Sequence, residues 1–396
     1  MRNAFLSLLI AANSYSAVYT FDEFCNEVSK NNIAVIEATG ERIVAKYEKE
    51  SAMSFEPLNL ELNNRKIKTD DSKNEQETSS MLGFSTKMPW LRASERKSYE
   101  AKENGLYIYE QLQKTLLKSS IKKIYLLFLL SQEEEAIYTN KEAAASNSYV
   151  MAKKKFEAGR ISNMELTKFE TELMQSRVDL ASATAMKEEY HHMLSHAILS
   201  HDDIFIKDLK FSFYANLKKR LGELAQESLQ IKELASKKTE IENEIGMYRY
   251  ALIDKVEFGI GYTKEPAQKS VDFRASFPLN ITGKNESKVA ALRTKLNTVL
   301  QKQKVLKDTL SIMADMEERR ITDLEKKIKT SISNEQLYKN VFEMTTKGYE
   351  GGAVSLFEYI AAKNAYFDAT IKTISYKKEY IEEIAKLENV FAGVIQ

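Results

Sequence analysis

From Leu91 to Glu157, and again from Lys284 to Lys347, nothing in the chain forces a helix to stop. These runs are 67 and 64 residues long, or about 100 Å each at the α-helical rise if they stay continuous. Ordinary globular helices have about 8–20 residues, so the fold must be built around rods. All four prolines, Pro57, Pro89, Pro266 and Pro278, lie outside the runs, in two short windows. Proline lacks the amide N–H and clashes with the preceding turn, so these windows mark where helices end.

Inside the windows the apolar period changes from about 3.6 to 2, the strand period. In "PLNLELNN" (57–64), Leu58, Leu60 and Leu62 oppose Asn59, Glu61 and Asn63. After the polar stretch 66–80, expected to be a loop, Leu82, Phe84, Thr86 and Met88 form one face. The second window repeats the plan with Val256, Phe258, Ile260 and Tyr262, then Val271, Phe273, Ala275 and Phe277. Four strands are expected, at about 56–64, 81–89, 255–263 and 270–279. Their length approaches the ~9–11 residues of a tilted membrane strand, and closed membrane barrels start at about eight strands. Either two hairpins pack on a soluble core, or several copies of the chain contribute strands to one barrel.

Each long run ends in a near-identical turn. "FEAGRISNMEL" (156–166) and "YEGGAVSLFEY" (349–359) align at a constant offset of 193. Gly159 and Gly352 stand where a left-handed helix terminator is expected. Ser162 with Glu165, and Ser355 with Glu358, have the spacing of a capping box that starts the next helix. These turns are read as the tips of two helical hairpins, near 157–162 and 348–355. Pro89 and Pro278 are equivalent at an offset of 189. The unit of helix, two strands and helical hairpin is therefore duplicated, as 17–206 and 207–396. The fold class is mainly α with a small β part.

This arrangement resembles the TolC-like outer-membrane efflux factors over nearly all of the chain. The resemblance rests on the proline-ended strands "FSTKMPWL" and "FRASFPLN", the paired "FEAGRIS" and "YEGGAVS" turns, and the helix that begins "LFEYIAAKNAYFDATIK". It implies a homotrimer with a shared twelve-stranded outer-membrane β-barrel, surrounded by outer-membrane lipid. An α-helical barrel would continue through the periplasm to a periplasmic adaptor and an inner-membrane pump. Gly159, Arg160, Ile161 and Ser162 resemble the adaptor-contact tip motif, with Gly352, Ala353, Val354 and Ser355 as the second copy. Tyr349 and Glu358 fall where the family has a gate tyrosine and an acidic ring residue, and Glu165 would stand nearby. Val354 replaces an arginine of the gate, and Ala361 a second acidic ring position. The first strand is similar to that of the heavy-metal branch. A passive efflux duct for small molecules or metal ions is the implied function. A protein-secretion duct and a soluble coiled-coil spacer are the alternatives.

The remaining features are weaker. Arg2, "AFLSLLIAA" (4–12) and Ser14-Tyr15-Ser16 read as an export signal over 1–16, with an amphipathic first helix as the alternative. Cys25 is the only cysteine, and "TFDEF" before it is too polar and bulky for a lipid-anchor signal. "IYLLFLL" (124–130) is too short to span a membrane and is expected to be buried. With 58 basic and 57 acidic residues the chain carries no basic excess for a nucleic-acid partner. His192 and His196 are one helical turn apart and are weak metal candidates, against a solvated helix end. Adjacent Glu133, Glu134 and Glu135 read as a solvated face. No catalytic constellation and no cofactor motif is present.

Overall fold

The computed structural model describes residues 17–68, 74–199, 204–214, 216–249, 251–265, 268–279, 281 and 283–395. The expected export signal, His201 and Pro266 lie outside the described residues. Six strands and eight helices are described, and the fold is mainly α with a small β part. The chain divides into two compact units, each assembled from both halves of the sequence. The first comprises Met1–Ile36, Gln113–Gln226 and Leu310–Gln396, the second Glu37–Leu112 and Glu227–Thr309.

The two breaker-free runs are two single helices. Helix α3 spans Pro89–Glu157 in 69 residues and α7 spans Lys284–Glu350 in 67. Pro89 is the first residue of α3, where a missing N–H costs nothing. Gly105 inside α3 has a use: a Cβ there would lie 3.5 Å from the Ser236 side chain, so the glycine permits close helix approach. Beyond the turns run α4, Asn163–Ile198, and α8, Leu356–Phe391, of 36 residues each.

In the first unit the short strands β1, Ala17–Tyr19, and β4, Ile204–Ile206, pair in parallel. They pack with α1, Phe21–Asn31, over one core of Phe24, Cys25, Val28, Ile121, Tyr125, Phe128 and Leu194. Tyr125 locks this sheet, since its hydroxyl donates to the Ile206 carbonyl at 3.0 Å and accepts from the Ile206 amide at 2.9 Å. The other side of "IYLLFLL" supplies Leu126, Leu127 and Leu130 to a second cluster with Ile374 and Ile381. The segment is buried because it serves two cores at once. Cys25 is 1% exposed, and burial pushes its thiol up to about 12. It is an inert core residue here.

The second unit contains α2, Ile33–Met53, for its larger part, and α6, Leu229–Arg249, with a four-stranded sheet. That sheet comprises β2, Asn59–Lys68, β3, Asn74–Lys87, β5, Lys255–Lys264, and β6, Lys269–Ser276. All pairings are antiparallel, in the order β2-β3-β5-β6. The stretch 66–80 is not all loop. Asn63–Lys68 pairs with Asn74–Ser79, and only 69–73 lies between the strands. Cross-strand backbone bonds extend this hairpin although its side chains are polar and show no apolar alternation.

The triplet Glu133–Glu135 is a solvated face only in part, since Glu133 is exposed while Glu134 and Glu135 are half-buried. Glu133 pairs with Lys377 at 3.3 Å, Glu134 with Lys378 at 2.5 Å and Glu135 with Lys187 at 2.9 Å. Consecutive residues fan around α3, so they reach α8 on one side and α4 on the other. Deeper in the same unit, Lys122 bridges the Glu388 carboxylate at 2.7 Å and the Ile395 carbonyl at 2.6 Å.

Candidate functional site

The hairpin tips belong to the first unit. At the first, Gly159 takes φ +70°. Its amide donates to the Phe156 carbonyl, and that of Arg160 to Lys155, each at 2.8 Å. This satisfies the last orphan carbonyls of α3. At the second, Gly352 takes φ +77°, and the Ala353 amide donates to the Gly348 carbonyl at 2.8 Å. Space beside both glycines is open, so the backbone angle alone calls for glycine. Gly348 is different: a Cβ there would come within 2.5 Å of Val354 Cγ2. Val354, in place of the arginine the resemblance leads one to expect, folds back on the end of α7.

Both capping boxes form. The Glu165 amide donates to Ser162 Oγ at 3.2 Å, and the Ser162 amide to Glu165 Oε2 at 2.8 Å. The Glu358 and Ser355 pair repeats this at 3.3 and 2.9 Å. In each copy the serine backbone N–H holds the glutamate below the usual carboxylate range, helped by the serine hydroxyl. Both carboxylates are fully exposed and therefore remain charged at neutral pH. Arg160, Ala353 and Ser355 are exposed, while Ile161 and Val354 are half-buried. Phe357, which the sequence reading passed over, is 80% exposed beside the second tip, an apolar knob at the end of a hairpin.

Tyr349 is buried, and its partners were not legible in the sequence. The Lys155 ammonium, from the last turn of α3, donates to the Tyr349 hydroxyl at 2.5 Å and lies 4.0 Å from the ring centroid. Tyr359 of α8 stacks on Tyr349 with centroids 5.0 Å apart, and Phe342 continues the column to Tyr366 at 5.7 Å. Phe342 and Tyr349, like Tyr359 and Tyr366, are seven apart, the heptad spacing of a packed antiparallel pair. One turn beyond Tyr359, Lys363 is 1% exposed. It pairs with Glu172 of α4 at 3.0 Å and donates to Ser148 of α3 at 3.3 Å. Burial lowers its pKa, against the opposing pull of Glu172. The two hairpins are thus tied near their tips by Lys155–Tyr349 and by Lys363–Glu172.

His192 and His196 are exposed on α4. Among the described residues no group of three potential metal ligands forms.

In the second unit the sheet has two unlike faces. Leu60, Leu82, Ile260 and Phe273 lie side by side in register across all four strands. The flanking rows hold Phe84, Phe258 and Ala275 on one side, and Leu62, Ser80, Tyr262 and Val271 on the other. Phe84 stacks on Phe258 at 5.3 Å. Leu60, Ile260 and Phe273 are 62%, 58% and 80% exposed, so none of the described residues covers this face. The opposite face carries Asn59, Glu61, Ser85, Glu257, Asp272, Arg274 and Ser276, separated by Gly83, Gly259 and Gly261. The outer edges of β2 and β6 are unpaired among the described residues. Among them, too, no helix is long and apolar enough to cross a membrane.

No protein-family model matches the chain, and no curated protein is similar to it in sequence. Solved structures are similar in fold. CusC, described for its transmembrane channel formation, superposes with a TM-score of 0.75 at 15% identity, over 94% of this chain and 92% of that one. The CmeC outer-membrane channel of Campylobacter jejuni gives 0.73 at 16%, over 95% and 86%. VceC, an outer-membrane protein of Vibrio cholerae, gives 0.76 at 11%, over 95% and 97%. Over these 94–95% of its length the chain has the fold of these outer-membrane channels. No branch stands out, because these channels match about equally well.

Proposed function

We propose that the chain is the outer-membrane duct of a tripartite efflux system, acting as a homotrimer with a periplasmic adaptor and an inner-membrane pump. One observation carries the reading. A four-stranded antiparallel sheet presents an in-register apolar row on one face and, among the described residues, has two unpaired edges. In water both features are liabilities, because free edges and bare apolar faces aggregate. In a membrane both are resolved at once. Since β2 and β6 run in opposite directions, β6 of one copy can pair antiparallel with β2 of the next. Three copies then close twelve strands with lipid outside and the polar face lining the lumen. A soluble spacer would leave this face without a purpose.

The hairpin tips fit the rest of the assembly. Gly159–Ser162 and Gly352–Ser355 offer shaped, exposed turns for an adaptor, and Tyr349 with Lys155 closes the chain's own hairpins against each other. Glu165 and Glu358 would form acidic rings at the entrance by threefold symmetry. Small molecules or metal ions are the proposed cargo. The first-strand similarity favours metal ions, while the paired histidines add no ligand set. The test is fractionation followed by a semi-native gel. Outer-membrane localisation with a heat-dissociable trimer supports the duct, and a detergent-free soluble monomer or dimer refutes it. Comparing the deletion strain's sensitivity to metal salts and to organic dyes then assigns the cargo.

A further inference from the structure

Beyond its apolar rows the four-stranded sheet carries a charged zone. On the outward face the last apolar row is Leu62, Ser80, Tyr262 and Val271. The next outward row is Asn64, Thr78, Lys264 and Lys269, and the overhanging β2–β3 hairpin adds Lys66 opposite Gln76. These six side chains are all exposed. Gln76 Nε2 donates to Asn64 Oδ1 at 2.9 Å, so the two successive rows share one face. The acidic side chains Glu61, Glu77 and Asp272 fall in the intervening, inward rows. There Asp272 accepts from the Thr263 hydroxyl at 3.4 Å, and Glu77 stands opposite Arg65. Glu265, in the turn after β5, accepts from Gln268 Nε2 at 2.9 Å. The two outward rows therefore hold three ammonium groups and no carboxylate.

In water this arrangement is unfavourable. Lys264 and Lys269 stand directly opposite each other across β5 and β6, and like charges so placed repel. An anion between them turns the repulsion into attraction. Neighbouring strands are about 5 Å apart and successive outward rows about 7 Å apart, so the three ammonium groups share one small patch. Tyr262, in the row beneath, is 43% exposed. Apolar rows, then an aromatic, then basic groups is the sequence of surfaces found where hydrocarbon meets headgroups. At the other end of the sheet β3 and β6 lead into α3 and α7. The basic zone thus lies at the end of the sheet remote from the long helices.

We infer that this outward rim docks the phosphate groups of the outer leaflet's phosphorylated glycolipid, Lys264 and Lys269 sharing one phosphate and Lys66 reaching a second on the same headgroup. The inference rests on the membrane reading given above, in which the helices are periplasmic and the remote end of the sheet meets the outer leaflet. Cations in two rows about 7 Å apart suit a headgroup with more than one phosphate. Lysine stems lie along the apolar face and carry their charge up to the headgroup level. Threefold symmetry repeats the rim around the barrel.

The test is native mass spectrometry of the detergent-purified full-length protein mixed with bisphosphorylated lipid A, its dephosphorylated form, or phosphatidylglycerol. Wild type is expected to retain the bisphosphorylated form preferentially, less so as salt rises. Lys66→Gln, Lys264→Gln and Lys269→Gln together should reduce that retention by about fivefold per lysine, the effect of one basic group at an anionic surface. The corresponding triple arginine variant should keep it. Arg65→Gln removes a charge from the same hairpin on the inward face and should change nothing. Equal retention of the phosphorylated and dephosphorylated forms by wild type, or unchanged retention in the glutamine variant, overturns the inference and leaves the channel reading intact. So does a loss in Arg65→Gln as large as that in Lys66→Gln alone. Phosphatidylglycerol retained as well as the bisphosphorylated glycolipid would make the rim a general anionic surface and overturn the glycolipid assignment. A wild-type protein soluble without detergent would instead refute the membrane reading beneath it.

Discussion

Replacing Phe273 by Arg tests the sheet's orientation most directly. Phe273 sits in the middle of the three apolar rows, about 7 Å of strand from each flanking row. It is 80% exposed within the chain, so its loss removes little of the chain's own packing. The cost arises only when the face meets lipid. An arginine near the bilayer midplane costs about 2–4 kcal/mol in a membrane barrel. Three copies in a trimer raise this to about 6–12 kcal/mol, since symmetry places all three at one depth. At 1.4 kcal/mol per decade the assembly constant should fall by about four decades or more. The control is Ser276→Arg on the opposite face, where the new guanidinium stands across from Glu257. Ser85 is a poorer control for an acidic substitution, because its hydroxyl already bonds the Glu56 carboxylate. Semi-native gels of outer-membrane fractions should show trimer for Ser276→Arg and little for Phe273→Arg. Equal trimer levels in the two variants would refute the assigned lipid face.

The remaining predictions concern the hairpins. Gly352→Val forces a branched residue to φ +77° with no neighbour to clash, so it should cost about 1–3 kcal/mol of backbone strain at the tip alone; export should fall with trimer level unchanged, and a parallel loss of trimer would make the tip a folding element. Lys363→Met leaves Glu172 without its buried partner and should destabilise the chain by about 3 kcal/mol in a denaturant titration, with partial recovery when Glu172→Leu is added. Glu358→Gln keeps a hydrogen-bond acceptor for the cap but removes the charge; bilayer recordings should show weaker cation selectivity, and unchanged selectivity would leave Glu358 a capping residue only. Glu165 and Glu358 titrate below their ordinary 4.5, so their caps are fully formed above that pH and are lost as pH falls through the lower folded values. The protection factors of the Ser162 and Ser355 amides, taken relative to intrinsic exchange at each pH, should fall in that acid range.

The local chain determines a great deal here. Helix length follows from an absence of breakers, and α3 and α7 exceed the expected runs by only a few residues. The turns follow from glycines able to take positive φ and from serine–glutamate pairs three residues apart, so Gly159, Ser162, Gly352 and Ser355 were legible as tips. The faces of the sheet strands follow from a period of 2. All of these are settled by groups within a few residues of each other. The polar extension of the β2–β3 hairpin, the pairing of Ala17–Tyr19 with Ile204–Ile206, and the lysine partners of Glu133–Glu135 were not legible. Neither were the Lys155 contact with Tyr349 and the burial of Lys363. Each joins groups far apart in the chain, and each depends on backbone hydrogen bonds or charge pairs that leave no periodic mark on the sequence. A lysine in a helix reads as a solvated residue until another helix is laid across it. Only the packing of α8 against α3 and α4 turns Lys363 into a buried tie between hairpins, because desolvation and pairing are properties of the surroundings that tertiary structure creates.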